Sequence, residues 1–133
     1  MSDQKVASFA ELEQADGIEF DTVEAYGKTI SIGSLSSADM FEWVESNNSE
    51  DKTVRREAGL RLLIKSIVDE NRARLPKADH ERWLTLFRNK SNKENGKVVA
   101  AALKLNGFDK MAGVVLKNDS GEASTDASPV VLH

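Results

Sequence analysis

The segment from residue 50 to 73 carries apolar residues on two faces of a helix, and this feature constrains the fold most. One stripe repeats at i, i+3, i+4, i+7 and i+8 and consists of Leu60, Leu63, Ile64, Ile67 and Val68. A second stripe repeats at i, i+4 and i+8 and consists of Val54, Ala58 and Leu62. A helix that is apolar on two sides needs neighbours on both. The pattern predicts a central helix from about Glu50 to Ala73, which ends before Leu75-Pro76 because proline disfavours a helical conformation in the preceding residue.

Shorter elements are predicted around this helix. Small polar residues before an apolar run predict a helix at about 37–46. Apolar residues at helical spacing predict two more, at about 78–90 and 93–105. Residues 20–33 are rich in β-branched and aromatic types on either side of Gly27-Lys28, which predicts a hairpin that lies against the helices. The expected fold class is mainly α, a small bundle of about four helices with a short N-terminal β-hairpin and flexible ends.

The length of 133 residues fits a single domain with extensions. Residues 1–19 are acidic and polar, and they are expected to form a flexible arm with a helical turn around Phe9 to Gln14. Residues 20–115 form the expected helical domain. Residues 116–133 are small and polar without periodicity, which is typical of a disordered tail. No stretch has the apolar length of a signal peptide or a membrane span, so the expected location is the cytoplasm.

The charge is divided unevenly along the chain. Residues 1–50 hold 11 acidic and 2 basic residues, a net charge of −9, whereas residues 51–110 hold 8 acidic and 15 basic residues, a net charge of +7. Such a division is compatible with an acidic part that folds back on the basic part. It is equally compatible with an acidic partner, with nucleic acid, or with head-to-tail association of copies, in which the acidic arm of one meets the basic middle of the next.

No catalytic, cofactor or metal site is predicted, and the chain is not expected to be an enzyme. The absence of cysteine excludes disulfides and thiolate sites. His80 lies on the apolar stripe of its helix without a second ligand at helical spacing, so it is interpreted as a partly buried residue at the helix start. Gly27-Lys28-Thr29 resembles the end of a phosphate-binding loop, but Thr22 occupies the position of the required first glycine.

The order of these elements resembles the tail assembly chaperones of long-tailed bacteriophages and related prophages. The resemblance covers about residues 23–108 and lies in three stretches, SIGSLSSADMFEWVES, RREAGLRLLIKSIVDENRARL and ERWLTLFRNKSNKENGKVVAAALKLNG. It implies a chaperone that binds the tape measure protein, keeps it soluble and helps recruit tail tube protein. It also implies action in the host cytoplasm and absence from the mature virion. Self-association is expected from the charge division.

Two groups of residues are predicted to contact partners. The first comprises apolar residues that are expected to be exposed near the first of the four predicted helices, namely Met40, Phe41 and Trp43. The second is a basic face on the central helix, namely Arg55, Arg56, Arg61 and Lys65. Core packing is the alternative for the aromatic residues, and a solvated face is the alternative for the arginines. The basic face also supports a competing hypothesis, a small helical DNA-binding regulator, although a sequence pI of about 5.2 disfavours nucleic acid as a partner.

Overall fold

A computed structural model describes residues 6–119, with side chains as far as Leu116. The described part holds six α-helices and a three-stranded antiparallel sheet. In chain order they are α1 (Phe9–Gln14), β1 (Phe20–Ala25), β2 (Lys28–Gly33), α2 (Ser37–Asn47), α3 (Lys52–Ser66), β3 (Ile67–Val68), α4 (His80–Arg88), α5 (Asn92–Leu105) and α6 (Asp109–Asp119). A single 3₁₀ turn, Lys77–Asp79, precedes α4. The mainly helical class and the N-terminal hairpin are confirmed, whereas the number of elements exceeds the expectation.

The hairpin is joined by a tight turn of two residues. Strands β1 and β2 pair in register from Phe20 opposite Gly33 to Ala25 opposite Lys28. The turn residues are Tyr26 and Gly27, one position earlier than the Gly27-Lys28 step, and their φ angles are +57° and +70°. Positive φ at both positions gives the turn the twist that matches two antiparallel strands. A tyrosine seldom adopts this conformation, so contacts from outside the turn must hold it.

The long central helix was predicted with the wrong end. Helix α3 begins after its cap, Asp51, whose side chain accepts hydrogen bonds from two backbone amides of the first turn. It ends at Ser66, seven residues before the expected end at Ala73. Ile67 and Val68, expected on the apolar stripe of the helix, instead form β3 and pair with Ile32 and Ser31. The chain then reverses and returns to pair Arg74 with Val68.

Arg74 explains this early end. Its Nη1 donates to the carbonyl oxygens of Gly33, Lys65 and Ser66 at 3.1, 3.0 and 3.2 Å, and its Nη2 donates to the carbonyl of Ser34. Carbonyl groups released at the end of a helix need donors. A single guanidinium therefore donates hydrogen bonds to carbonyl groups of the last turn of α3 and of the end of β2. These bonds join the sheet to the helical core.

The other predicted helices are confirmed within a few residues. Helix α2 begins after Ser36, whose hydroxyl accepts from the Asp39 amide, and α5 begins after Ser91, whose hydroxyl accepts from the Glu94 amide. The expected start of the third helix, at about 78, lies in the 3₁₀ turn. Helix α6 was not predicted. It packs on α5 through Met111 and Ala112 and continues to Asp119, so the expected boundary at 115 falls inside a helix.

The core lies between α3, α5 and the inner face of the sheet. The largest side chains without exposed surface come from these elements and α4, namely Ile32, Leu62, Leu63, Ile64, Leu84, Val98 and Leu103. The two-sided burial expected of the central helix holds for its second half, whereas Val54 near its start is exposed. No described helix is both long and apolar enough to cross a membrane.

The N-terminal arm is described from Val6 onward. The helical turn expected around Phe9 to Gln14 is confirmed as α1, which begins with a capping box in which Ser8 and Glu11 each bond the other's backbone amide. No residue of α1 is buried. Residues 1–5 and 120–133 lie outside the described residues, and the predictions for the flexible arm and the disordered tail remain predictions there.

Candidate functional site

The three apolar residues predicted to contact partners lie in different environments. Met40 and Trp43 retain only 7% and 5% of their accessible surface, so they belong to the core. The prediction that these two residues are exposed is wrong. The Trp43 ring packs edge-on against Phe108, with 5.7 Å between ring centroids. Phe41 is 66% exposed. Core packing is therefore the correct interpretation for Met40 and Trp43, and Phe41 alone of the three offers an apolar contact on the surface.

The basic face predicted on α3 is mostly occupied by carboxylates. Lys65 lies 2.8 Å from Glu42 and 3.5 Å from Asp39, both on α2. Arg61 lies 3.1 Å from Glu81 on α4 and 3.5 Å from Glu57. The acidic N-terminal third thus folds back on the basic middle at this point, as one of the alternatives proposed.

The remaining two arginines differ from this pair. Arg55 donates from Nη1 to the Ser49 carbonyl at 2.7 Å, which ties the start of α3 to the preceding loop. Arg56 is exposed to solvent. The four basic residues consequently do not form one continuous cationic surface in the described part of the chain.

A groove of about 470 Å³ lies where α2, α3 and the segment before α4 meet. Its lining combines four cationic residues, two carboxylates, a histidine and two leucines, namely Arg61, Lys65, Arg74, Lys77, Asp39, Glu42, His80, Leu35 and Leu75. The excess of positive charge makes the groove attractive to an acidic segment. The leucines add an apolar floor on which such a segment can pack. We call this the charged groove.

Two polar residues in the lining of the charged groove, Arg74 and His80, are partly buried. His80 lies half-buried with Nε2 3.1 Å from the Leu75 carbonyl, which confirms its place as a partly buried residue at a helix start. Partial burial lowers the pKa of Arg74, and the nearby carboxylate of Asp39 opposes that shift. An arginine remains protonated at neutral pH, so the groove keeps its positive charge.

A second concave surface, of about 400 Å³, lies on the outer side of α4 and was missed by sequence reasoning. It is mainly apolar and is lined by Arg82, Trp83, Thr85, Leu86 and Asn89. Leu86 is exposed and lies off the apolar stripe of its helix. That departure from the stripe was the available signal for an exposed apolar residue.

A polar cluster holds the hairpin turn against the start of α5. The Tyr26 amide donates to Glu94 Oε1 at 2.9 Å, and the Tyr26 hydroxyl donates to Asn95 Oδ1 at 2.6 Å. Asn95 is buried and donates in turn to the Phe87 carbonyl at 2.8 Å. These bonds fix Tyr26 in its left-handed conformation. Burial, and secondarily the negative charge of Glu94, raises the pKa of Tyr26 to about 12.

This raised pKa predicts a loss of stability at high pH. The folded state retains the phenolic proton longer than the unfolded chain, whose tyrosine pKa is about 10. Its contribution to stability is therefore complete below pH 10 and is lost as the pH rises from 10 to 12. Because Tyr26 is the sole tyrosine, ultraviolet absorbance of tyrosinate should give a single titration with a midpoint near 12 in the folded chain and near 10 in urea. Equal midpoints in the two conditions would contradict the assignment.

The described residues give no indication of a metal centre or a phosphate-binding loop. No group of three or more histidine, aspartate or glutamate side chains there is arranged to hold a metal ion. Gly27, Lys28 and Thr29 lie in the hairpin turn and the start of β2. No protein-family profile matches the sequence, and neither a curated protein nor a solved structure is significantly similar to it. A functional interpretation therefore depends on the residues described above and on the resemblance.

Proposed function

We propose that this chain is a non-catalytic tail assembly chaperone. It binds the tape measure protein of a long-tailed phage in the host cytoplasm, keeps it soluble, and helps recruit tail tube protein before it is released. The observation that supports this proposal best is the exposed aromatic ring of Phe41 on α2, the same helix that contributes Asp39 and Glu42 to the charged groove. Aromatic residues are enriched among the anchors of protein-binding surfaces.

The apolar and charged side chains of the charged groove suit reversible binding. The client that the resemblance implies is long, and we take it to be helical. A helix with an apolar stripe is bound by an apolar contact flanked by polar groups. Two of the four cations of the charged groove, Arg61 and Lys65, are already paired with Asp39, Glu42 and Glu81. A client carboxylate must compete with these internal partners, so each ionic contact adds little net affinity. Many modest contacts allow the client to be handed over when tube subunits polymerise.

Replacing Phe41 with serine should weaken client binding about tenfold or more without unfolding the chain. Truncation of an exposed aromatic anchor typically costs about 2 kcal/mol of binding free energy, whereas an exposed position contributes little to folding. Val114 on α6 is also exposed and supplies a matched control, Val114→Ser. Co-purification of tagged variants with a tape measure protein, followed by titration of the complex, measures the effect. Equal affinity of Phe41→Ser and the wild-type chain would contradict the assignment.

The competing DNA-binding hypothesis is tested with the same preparations. Phosphate binding by free cations weakens steeply as salt rises. The ion pairs of Arg61 and Lys65 leave few free cations on α3, so we expect no mobility shift with nonspecific duplex DNA even at low salt. A salt-sensitive shift that is lost in Arg56→Ala would favour the regulator over the chaperone.

A further inference from the structure

Helix α1 exposes its apolar side chains to solvent. Phe9 is 85% exposed and Leu12 is 58% exposed, three residues apart on one face. A helix of six residues is too short to be stable in water by propensity alone. Residues 6–19 also carry four acidic side chains and no basic one, namely Glu11, Glu13, Asp16 and Glu19. The arm therefore contains a short amphipathic helix followed by an acidic segment, and the apolar face of the helix lacks a buried contact.

The C-terminal end of the arm lies beside the charged groove. Its last residue, Glu19, is fixed to Ser34 by two hydrogen bonds, from the Glu19 amide to the Ser34 hydroxyl at 2.9 Å and from the Ser34 amide to the Glu19 carbonyl at 2.8 Å. The Ser34 carbonyl in turn accepts from Arg74, which lines the groove together with Leu35. The C-terminal end of the arm is thus bonded to Ser34, which directly precedes the groove residue Leu35.

The linker between α1 and β1 is long enough for α1 to reach the charged groove. Residues 15–19 span up to about 17 Å when extended. A segment tethered this closely has an effective concentration of about a millimolar at the groove, well above that of a second copy in dilute solution. The three carboxylates of residues 6–16 complement the cations of the groove, and Phe9 and Leu12 complement Leu35 and Leu75.

We infer that residues 6–16 fold back over the charged groove of the same chain as a replaceable cover. Phe9 and Leu12 pack on the two leucines, and the carboxylates of the arm face Arg61 and Lys77. The open arrangement described above is then the state in which the groove is free for a partner. Displacement of the arm by a client rests on the proposed function, whereas the contact between arm and groove does not.

The absence of cysteine permits a direct test by disulfide formation in the full chain. Gln14→Cys is combined with Ala78→Cys, next to Lys77 at the groove, and the control combines it with Lys28→Cys at the opposite end of the hairpin, so that the carboxylates of the arm and the cations of the groove are kept. All three positions are exposed. We expect the first pair to form an intramolecular disulfide about tenfold faster than the control at low salt. The advantage should shrink at about 1 M salt, where charges are screened over about 3 Å.

Two outcomes would overturn the inference. Equal rates for the two pairs mean that the arm does not prefer the groove. A disulfide that forms predominantly between two chains means that the occupant is a second copy, as in head-to-tail association. The gating role is read separately, because Phe9→Ser with Leu12→Ser should increase client affinity about threefold or more if the arm competes. Unchanged affinity rejects the gating role, and failure of any client to bind rejects the proposed function while the disulfide rates still report on the contact.

Discussion

Replacing Trp43 with alanine should lower the free energy of unfolding by about 3–5 kcal/mol, the range observed for buried tryptophan and phenylalanine. The side chain is almost completely buried, and its edge-on contact with Phe108 joins α2 to the segment before α6. Truncation removes apolar burial and leaves a cavity that rigid neighbouring helices cannot fill. Urea denaturation followed by circular dichroism measures the loss.

The matched control for this prediction is Phe41→Ala on the same helix. Its ring is largely exposed, so we expect a change within about 0.5 kcal/mol. The two variants also separate folding from binding, because Trp43→Ala should affect partners only through loss of the folded chain. If Trp43→Ala unfolds at the same urea concentration as Phe41→Ala, the assignment of Trp43 to the core is incorrect.

The second large effect is expected for Arg74→Ala, with a loss of about 3 kcal/mol. Removal of the guanidinium leaves the carbonyl groups of Gly33, Ser34, Lys65 and Ser66 without their donor. Each partly buried acceptor left without a donor costs about 1–3 kcal/mol, and access of water to this half-buried site offsets part of the sum. Thermal and urea denaturation give the size of the loss.

Two substitutions control for charge and position. Arg74→Lys keeps the positive charge but cannot reach four acceptors from one planar group, so it should recover less than half of the lost stability. Arg56→Ala removes an exposed guanidinium and should change stability by no more than about 0.5 kcal/mol. Full recovery by lysine would mean that charge, and not the fork of donors, stabilises the junction of β2 and α3.

Local signals account for the elements that were predicted well. The hydroxyls of Ser36 and Ser91 act as helix caps where small polar residues preceded apolar runs, and helical periodicity placed the ends of α2 and α5 within a few residues. The two-residue turn at Tyr26 and Gly27 follows from short β-rich runs on either side. For the two helix starts, the residues that determine the structure lie within one turn of each other, whereas the left-handed conformation of Tyr26 also depends on the distant Glu94 and Asn95.

The early end of α3 could not be predicted from local pattern. Ile67 and Val68 continue the helical stripe, but they also have high propensity for strands. Pairing with Ile32, more than thirty residues away, and the donors of Arg74 favour the strand. This result depends on contacts that are distant in sequence, which a periodicity argument does not include.

The partner-contact prediction mixed two faces of one helix. Met40 and Trp43 are three residues apart and share a face with Val44, whereas Phe41 lies about 100° from Met40 around the helix. The spacing therefore contained the signal that separates core from surface. By contrast, the pairing of Lys65 with Glu42, 23 positions apart, is a tertiary contact. The charged groove and its internal ion pairs could be identified only from the folded chain.

Co-expression with a tape measure protein tests the central proposal most directly. We predict that the tape measure protein is insoluble alone, becomes soluble with this chain and co-elutes with it, and that Phe41→Ser lowers the soluble fraction while Val114→Ser does not. A tape measure protein that is equally insoluble with and without this chain would contradict the proposed function.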